Sequence, residues 1–233
     1  MSIPIPEIQV VFDHPEFIVI NKPTGISVHR EPHLDESQQM PSILEIVQQQ
    51  LSIPNLWLVH RLDKVTSGLL ILAKTEQAAS ALSQKFAQRE IQKYYLAVSD
   101  KKPKKKQGSI IGDMEKSRNG LWKLCHSKQS PAITRFFSKG LGGTRLFILK
   151  LETGKTHQIR VALKSIGSPI LGDVAYAGSP SDRTYLHAYM LAFNYQDEDI
   201  SIIQAPTQGE HFLTPEFETQ LSDYAQPQEL NWP

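Results

Sequence analysis

His60-Arg61-Leu62-Asp63-Lys64-Val65-Thr66-Ser67-Gly68 packs a histidine, two cations, a carboxylate and two hydroxyls into nine positions. Apolar runs flank it, and loops held by rigid strands are where reactive groups commonly sit. The plainer reading is a local Arg61–Asp63 ion pair beside an ordinary Thr66-Ser67-Gly68 turn. A hydrolase triad of Ser67, His60 and Asp63 is disfavoured, because the serine lacks the G-x-S-x-G elbow and three members within eight residues rarely converge. A second polar cluster is Thr153-Gly154-Lys155-Thr156-His157-Gln158-Ile159-Arg160. Its Gly-Lys-Thr suggests a phosphate loop, but Leu149 stands where that pattern needs its first glycine, so nucleotide hydrolysis is excluded. What remains is a helix start with cationic donors, suited to a phosphate or to a carboxylate from elsewhere in the fold, Asp63 being the obvious candidate.

Elements must position these clusters. Ile8–Asp13 and Phe17–Lys22 predict a strand pair ending in the turn Pro23-Thr24-Gly25. Residues 27–41 lack periodicity and suggest a surface loop. Ser42 to Glu45 form a capping box before a short amphipathic helix. Trp57–His60 and Gly68–Ala73 suggest buried strands, and Thr75 caps a helix to about Gln88. Strands are expected at Lys93–Val98, Ala132–Phe137 and Arg145–Leu151, the last two separated by a flexible Lys139–Gly143. A helix is expected over Thr156–Ile166, with His157, Arg160 and Lys164 on one polar stripe. On a strand, Tyr94 and Tyr95 point to opposite faces, one toward the core and the other able to line a groove. Strands outnumber helices without regular βαβ crossovers, which predicts an α+β fold: a mixed, largely antiparallel sheet with flanking helices. The expected organisation is one domain over residues 1–215 and a peripheral tail over 216–233.

Composition narrows the function classes. The 233 residues hold one cysteine, Cys125, which excludes an internal disulfide framework and a multi-cysteine zinc site. No long apolar run and no signal-like start are visible, so a cytoplasmic protein is expected. The net charge of +1 conceals segregation. Residues 101–164 carry sixteen Lys and Arg against three Asp and Glu, whereas residues 165–233 carry one against ten. Lys101-Lys102-Pro103-Lys104-Lys105-Lys106 taken alone is either a solvated loop or part of a binding face. Lys123, Lys128, Arg135, Arg145 and Lys150 continue the charge and favour a polyanion, most often nucleic acid.

His60 to Lys74 (HRLDKVTSGLLILAK) resembles the catalytic signature of RNA pseudouridine synthases of the RluA-like family. Asn21-Lys22-Pro23-Thr24-Gly25 with Val28-His29 resembles that family's first motif, and Lys93-Tyr94-Tyr95-Leu96-Ala97 its K-x-Y-x-A strand. Leu151–Arg160 with Gly167–Asp173 resembles the third. The matches run in family order over about residues 10–195. Ala162 departs from the pattern, standing where many members have a histidine. An appended S4-type RNA-binding domain is not expected.

The resemblance implies an isomerase that breaks the uridine N1–C1′ bond, turns the base and joins C5 to the same sugar carbon, with no cofactor or metal. Asp63 is then the catalytic aspartate. Arg61 fills the gap left by the everted uridine. Tyr95 lies against the base, and Ile159 forms the opposite apolar wall. Arg160, or else Lys155, pairs with Asp63 and keeps it ionised. His60, Lys155 and His157 complete a substrate-binding set. The expected partner is tRNA or rRNA, read by loops 27–41 and 101–120, and a monomer is the default. Two further readings are a non-catalytic RNA-binding module of the same fold and a carboxylate hydrolase of small nucleosides.

Overall fold

The computed structural model describes residues 6–30 and 40–233. Part of the expected reading loop, residues 31–39, therefore lies outside the described residues. In chain order the elements are β1 (Gln9–Asp13), β2 (Phe17–Lys22), α1 (Ile43–Leu51), β3 (Trp57–Leu58), β4 (Ser67–Ala73), α2 (Glu76–Gln88) and β5 (Gln92–Ser99). There follow β6 (Gln107–Gly112), β7 (Met114–Lys116), β8 (Trp122–Leu124), β9 (Ala132–Leu141), β10 (Thr144–Leu151) and α3 (Gln158–Ser165). The chain closes through β11 (Leu186–Tyr195), β12 (Glu198–Ile203) and α4 (Pro215–Ser222). The fold is α+β, as the pattern of elements predicts.

Two compact units divide the chain. The first comprises residues up to Ile91 together with Leu191–Gln204. Its strand order is β1-β2-β4-β11, with β3 also on β4 and β12 also on β11. β2 pairs antiparallel with both β1 and β4, setting Lys22 opposite Gly68. Every residue of β4 is buried, which explains its continuous apolar run in place of alternation. Leu69 and Ile71 pack with Phe17, Val19, Ala78, Leu82 and Phe193 in the core of this unit. The expected capping box on α1 is present, Ser42 accepting from the Glu45 N–H and Glu45 from the Ser42 N–H. Thr75 caps α2 through the Ala78 N–H.

The second unit comprises Gln92–Met190 and Ala205–Pro233. Its strand order is β11-β5-β10-β9-β6, and β10 runs antiparallel to both β5 and β9. The expected flexible connection at 139–143 is mostly strand. β9 and β10 extend to a tight turn at Gly142 and Gly143, both at positive φ, a backbone that glycine adopts without strain. α3 starts two residues later than expected, because His157 takes the left-handed conformation (φ 57°) ahead of it. Residues 216–233, expected as a peripheral tail, are instead packed into this unit. Phe217 and Tyr224 are buried, and the Trp232 ring lies 5.2 Å from that of Phe137. Phe217, Leu221 and Tyr224 stand at i, i+4 and i+7, a helical stripe that α4 and the turn after it use to bury Phe217 and Tyr224.

Candidate functional site

The first chemistry-bearing stretch belongs to the first unit. It leaves β3 and enters β4 through a turn closed by the Thr66 N–H donating to the Asp63 carbonyl (3.0 Å). The preceding Pro23-Thr24-Gly25 turn is bonded to it. Gly25 N–H donates to the Lys64 carbonyl (2.8 Å), and Thr24 Oγ1 donates to the Val65 carbonyl (2.8 Å). Lys22 is wholly buried, and its Nζ donates to the carbonyls of Pro23 (2.8 Å), Ile26 (2.8 Å) and Lys64 (3.4 Å). An ammonium has three donors and no acceptor, so a cage of carbonyls suits it. His60 accepts the Ile71 N–H at Nε2 (3.0 Å) and stacks on Phe86 of α2 at 4.3 Å. Its ring therefore ties the start of the turn to β4 as a neutral acceptor. Leu62 is buried, Asp63 half-buried and Arg61 exposed. The loop thus presents its acid and its guanidinium while anchoring through the leucine.

The second stretch belongs to the second unit. Gln158, buried at the start of α3, uses its amide to close the loop before it. Oε1 accepts from Thr153 Oγ1 (2.8 Å) and from the Lys155 N–H (2.9 Å). Nε2 donates to the Ile133 carbonyl (3.1 Å) and Thr134 Oγ1 (3.0 Å). The Lys155 N–H, which a phosphate loop would aim at an anion, is here bound internally. Lys155 is exposed, and its Nζ donates to Ser130 Oγ (3.0 Å). Ile159 is buried.

Arg160 is 7% exposed and makes a two-pronged contact with Asp173, itself 2% exposed. Nε donates to Oδ2 (2.7 Å) and one terminal nitrogen to Oδ1 (2.8 Å). Asp63 is the partner the sequence suggested, and Asp173 was not foreseen in that role. The stripe of His157, Arg160 and Lys164 faces the buried ring of Tyr176. The Arg160 guanidinium carbon is 4.7 Å and Lys164 Nζ 5.7 Å from its centroid, and the Tyr176 hydroxyl is 2.7 Å from His157 Nδ1. That hydroxyl also accepts the Trp122 N–H (2.9 Å) from β8. Asp173 and Tyr176 were missed as partners. The signal available was their place in the Gly167–Asp173 stretch and just beyond it.

Of the two tyrosines in β5, Tyr94 is wholly enclosed, and burial together with the Glu152 charge pushes its phenol up to about 12. Tyr95 keeps 8% exposure, so both belong largely to the interior. The basic segment is different. Lys101, Lys102, Lys104, Lys105, Lys106, Lys116, Arg118, Lys123 and Lys128 are all exposed. Asp113 anchors the base of the β7–β8 hairpin. It accepts the backbone N–H groups of Gln129 and Ser130, which hold its carboxyl below the usual range. Among the described residues no helix is long and apolar enough to cross a membrane.

Comparison with known proteins settles the family. The model of the RNA pseudouridylate synthase family matches residues 16–165. The chain belongs to that family. An uncharacterized RNA pseudouridine synthase of Haemophilus influenzae is 53% identical over 94% of this chain and 96% of its own length. Ribosomal large subunit pseudouridine synthase D of Nitrosomonas europaea is 33% identical over 81% of this chain, which spans 58% of that protein. The solved structure of human RNA pseudouridylate synthase domain containing 1 superposes with a TM-score of 0.71 at 23% identity, over 88% of this chain and 86% of its own, a likeness of fold. As an RNA pseudouridine synthase the protein is an isomerase of the RluA-like kind, and its family acts on RNA. The matched segment contains His60–Asp63, Tyr95 and Lys155–Arg160.

Proposed function

We propose that this synthase isomerises one uridine of a structured RNA, everting the base and using Asp63 as the catalytic carboxylate. The observation carrying this reading is the half-buried Asp63 on a turn fixed by carbonyl and amide bonds from two directions, inside the family-matched segment. The N1–C1′ bond breaks and the base rotates. C5 then bonds to C1′, loses its proton, and N1 gains one, so the reaction is redox-neutral. Asp63 acts at C1′ or assists elimination there. Exposed Arg61 occupies the vacated stack position and holds phosphate. Tyr95 lies against the base with Ile159 as apolar wall, and Arg160 supplies positive charge to the carboxylate. Lys155 and His157 contribute to RNA contact, while His60 supports the turn from β4.

The substrate we would test first is large-subunit ribosomal RNA, the target named for the Nitrosomonas europaea relative, with tRNA as the second. The exposed lysines of the 101–128 segment suit either, since phosphate neutralisation is independent of sequence. A cytoplasmic monomer fits a chain with a single cysteine. The deciding experiment is pseudouridine mapping of cellular RNA with and without the protein, complemented by Asp63→Asn. We expect one position to lose its modification without the protein and to stay unmodified with Asp63→Asn, while RNA binding persists within about threefold. Near-normal turnover by Asp63→Asn rules out Asp63 as the catalytic carboxylate, whereas no change in modification on removing the protein leaves a binding module of the same fold.

A further inference from the structure

We infer that the turn carrying Asp173 and Tyr176 is a positioning device for Arg160, setting where its guanidinium points. The inference rests on the reading of Arg160 as part of the reacting site. Arginine has a long side chain whose free rotation costs about 2 kcal/mol to suppress. Here α3 delivers it to a site where two of its nitrogens are fixed edge-on by one carboxylate. With Nε and one terminal nitrogen fixed, the plane and the direction of the other terminal nitrogen follow from guanidinium geometry. Tyr176 limits the face of the group at 4.7 Å.

Stability alone does not account for the arrangement. A buried ion pair often adds nothing over an apolar pair of similar volume, because desolvation offsets the attraction. The turn is also built more rigidly than a simple connection requires. The Asp173 carbonyl accepts the N–H groups of Tyr176 (3.0 Å) and Gly178 (2.9 Å), and its own N–H donates to the Ile170 carbonyl (3.0 Å). Gly172 sits at φ +80° where a Cβ would lie 1.8 Å from the Arg183 carbonyl oxygen. Gly178 faces the Ile170 carbonyl at 1.9 Å in the same sense. The Tyr176 ring is pinned at its far end, its hydroxyl bonded to His157 and to the backbone of Trp122. The carboxylate and the ring that frame the guanidinium therefore have almost no freedom of their own.

The test uses the full chain and its RNA substrate, with Asp173→Asn, Asp173→Glu, Tyr176→Phe and Arg160→Lys measured singly and Asp173→Glu also combined with Arg160→Lys. Asp173→Glu keeps the charge while moving the carboxylate by one methylene, and thermal unfolding beside wild type checks that the fold is kept. We expect kcat to fall about 100-fold with Asp173→Asn or Asp173→Glu, with KM for RNA within about threefold. The combined variant should lose no more than Arg160→Lys alone, because both act on one group. Tyr176→Phe keeps the ring but removes the hydroxyl that pins it, and should lower kcat by less than Asp173→Asn does. Near-wild-type kcat in Asp173→Glu, or losses that multiply in the combined variant, overturn the inference. Should Asp63→Asn retain turnover, the reading of the reaction fails. Should Asp63→Asn be inactive while Asp173→Glu is fully active, the positioning role alone fails.

Discussion

The turn around Asp63 and the start of α3 are both held firmly, by opposite means. The first is fastened by main chain: a buried ammonium in a carbonyl cage, an amide to the Lys64 carbonyl, and a hydroxyl to the Val65 carbonyl. The second is fastened by side chain on side chain: Arg160 to Asp173, Tyr176 to His157, Gln158 to Thr153. Main-chain anchoring fixes where a loop runs while leaving its side chains to face outward, and Arg61 and Asp63 do so to different degrees. Side-chain anchoring fixes the orientation of a particular functional group. On the proposed reading of Asp63 and Arg160, a reactive carboxylate and an oriented cation ask for these two different services.

The contrast breaks most sharply at Lys22. Replacing it with methionine keeps the volume but leaves the carbonyls of Pro23, Ile26 and Lys64 without their shared donor. The Lys64 carbonyl keeps the Gly25 N–H, but those of Ile26 and Pro23 lose their donor at about 1–3 kcal/mol each, so Lys22→Met should destabilise the protein by about 4 kcal/mol. Urea unfolding with an unchanged slope and a lowered midpoint is the measurement. A loss under about 1 kcal/mol would mean the cage is decorative and the turn is held by its amides alone.

Glycine substitutions sharpen the same comparison at lower cost. Gly172 and Gly25 both sit at positive φ, +80° and +85°. A Cβ at Gly172 collides with backbone, whereas one at Gly25 meets nothing within 4 Å. Gly172→Ala should therefore cost about 3 kcal/mol or more through strain and overpacking, and Gly25→Ala only about 1–2 kcal/mol of left-handed backbone strain. Thermal unfolding of the pair gives the ranking directly. Equal losses would show that the turn at Asp173 can relax and is less rigid than its geometry implies.

These differences also mark what could be read from sequence. Local signals carried through: Ser42 with Glu45, Thr75, and the buried run of β4 each act within a few residues, and the structure places them as expected. The candidate residues stand out in the sequence because their types are unusual at close spacing. Asp173 and Tyr176 do not stand out as their partners, because Arg160 meets that carboxylate thirteen positions on, and Tyr176 joins His157 to β8, contacts set by tertiary packing and invisible to periodicity. The 216–233 segment failed for a related reason. Phe217, Leu221 and Tyr224 do keep a helical period after the Thr214-Pro215 cap, but the stripe is only two turns long, and the Trp232 contact with Phe137 is set by tertiary packing.

The mildest expected effect is pH-dependent and confined to the first unit, at α1. The Arg30 guanidinium beside Glu45, with the Ser42 amide and hydroxyl, lowers the Glu45 carboxyl to about 2 from an ordinary 4.5. Because the folded value lies below the unfolded one, the capping contribution is complete above about pH 4.5 and fades as the pH falls toward 2. Helix α1 should therefore lose amide-exchange protection on acidification from pH 5 to pH 3, and Glu45→Gln should remove that dependence. The carbonyls that accept from Lys22 do not titrate over the same range. Protection at Gly25 and Thr66 should stay level while that of α1 declines. A parallel loss at both places would mean that the cap and the Asp63 turn open as one unit, and that main-chain anchoring does not insulate the turn from its charged neighbours.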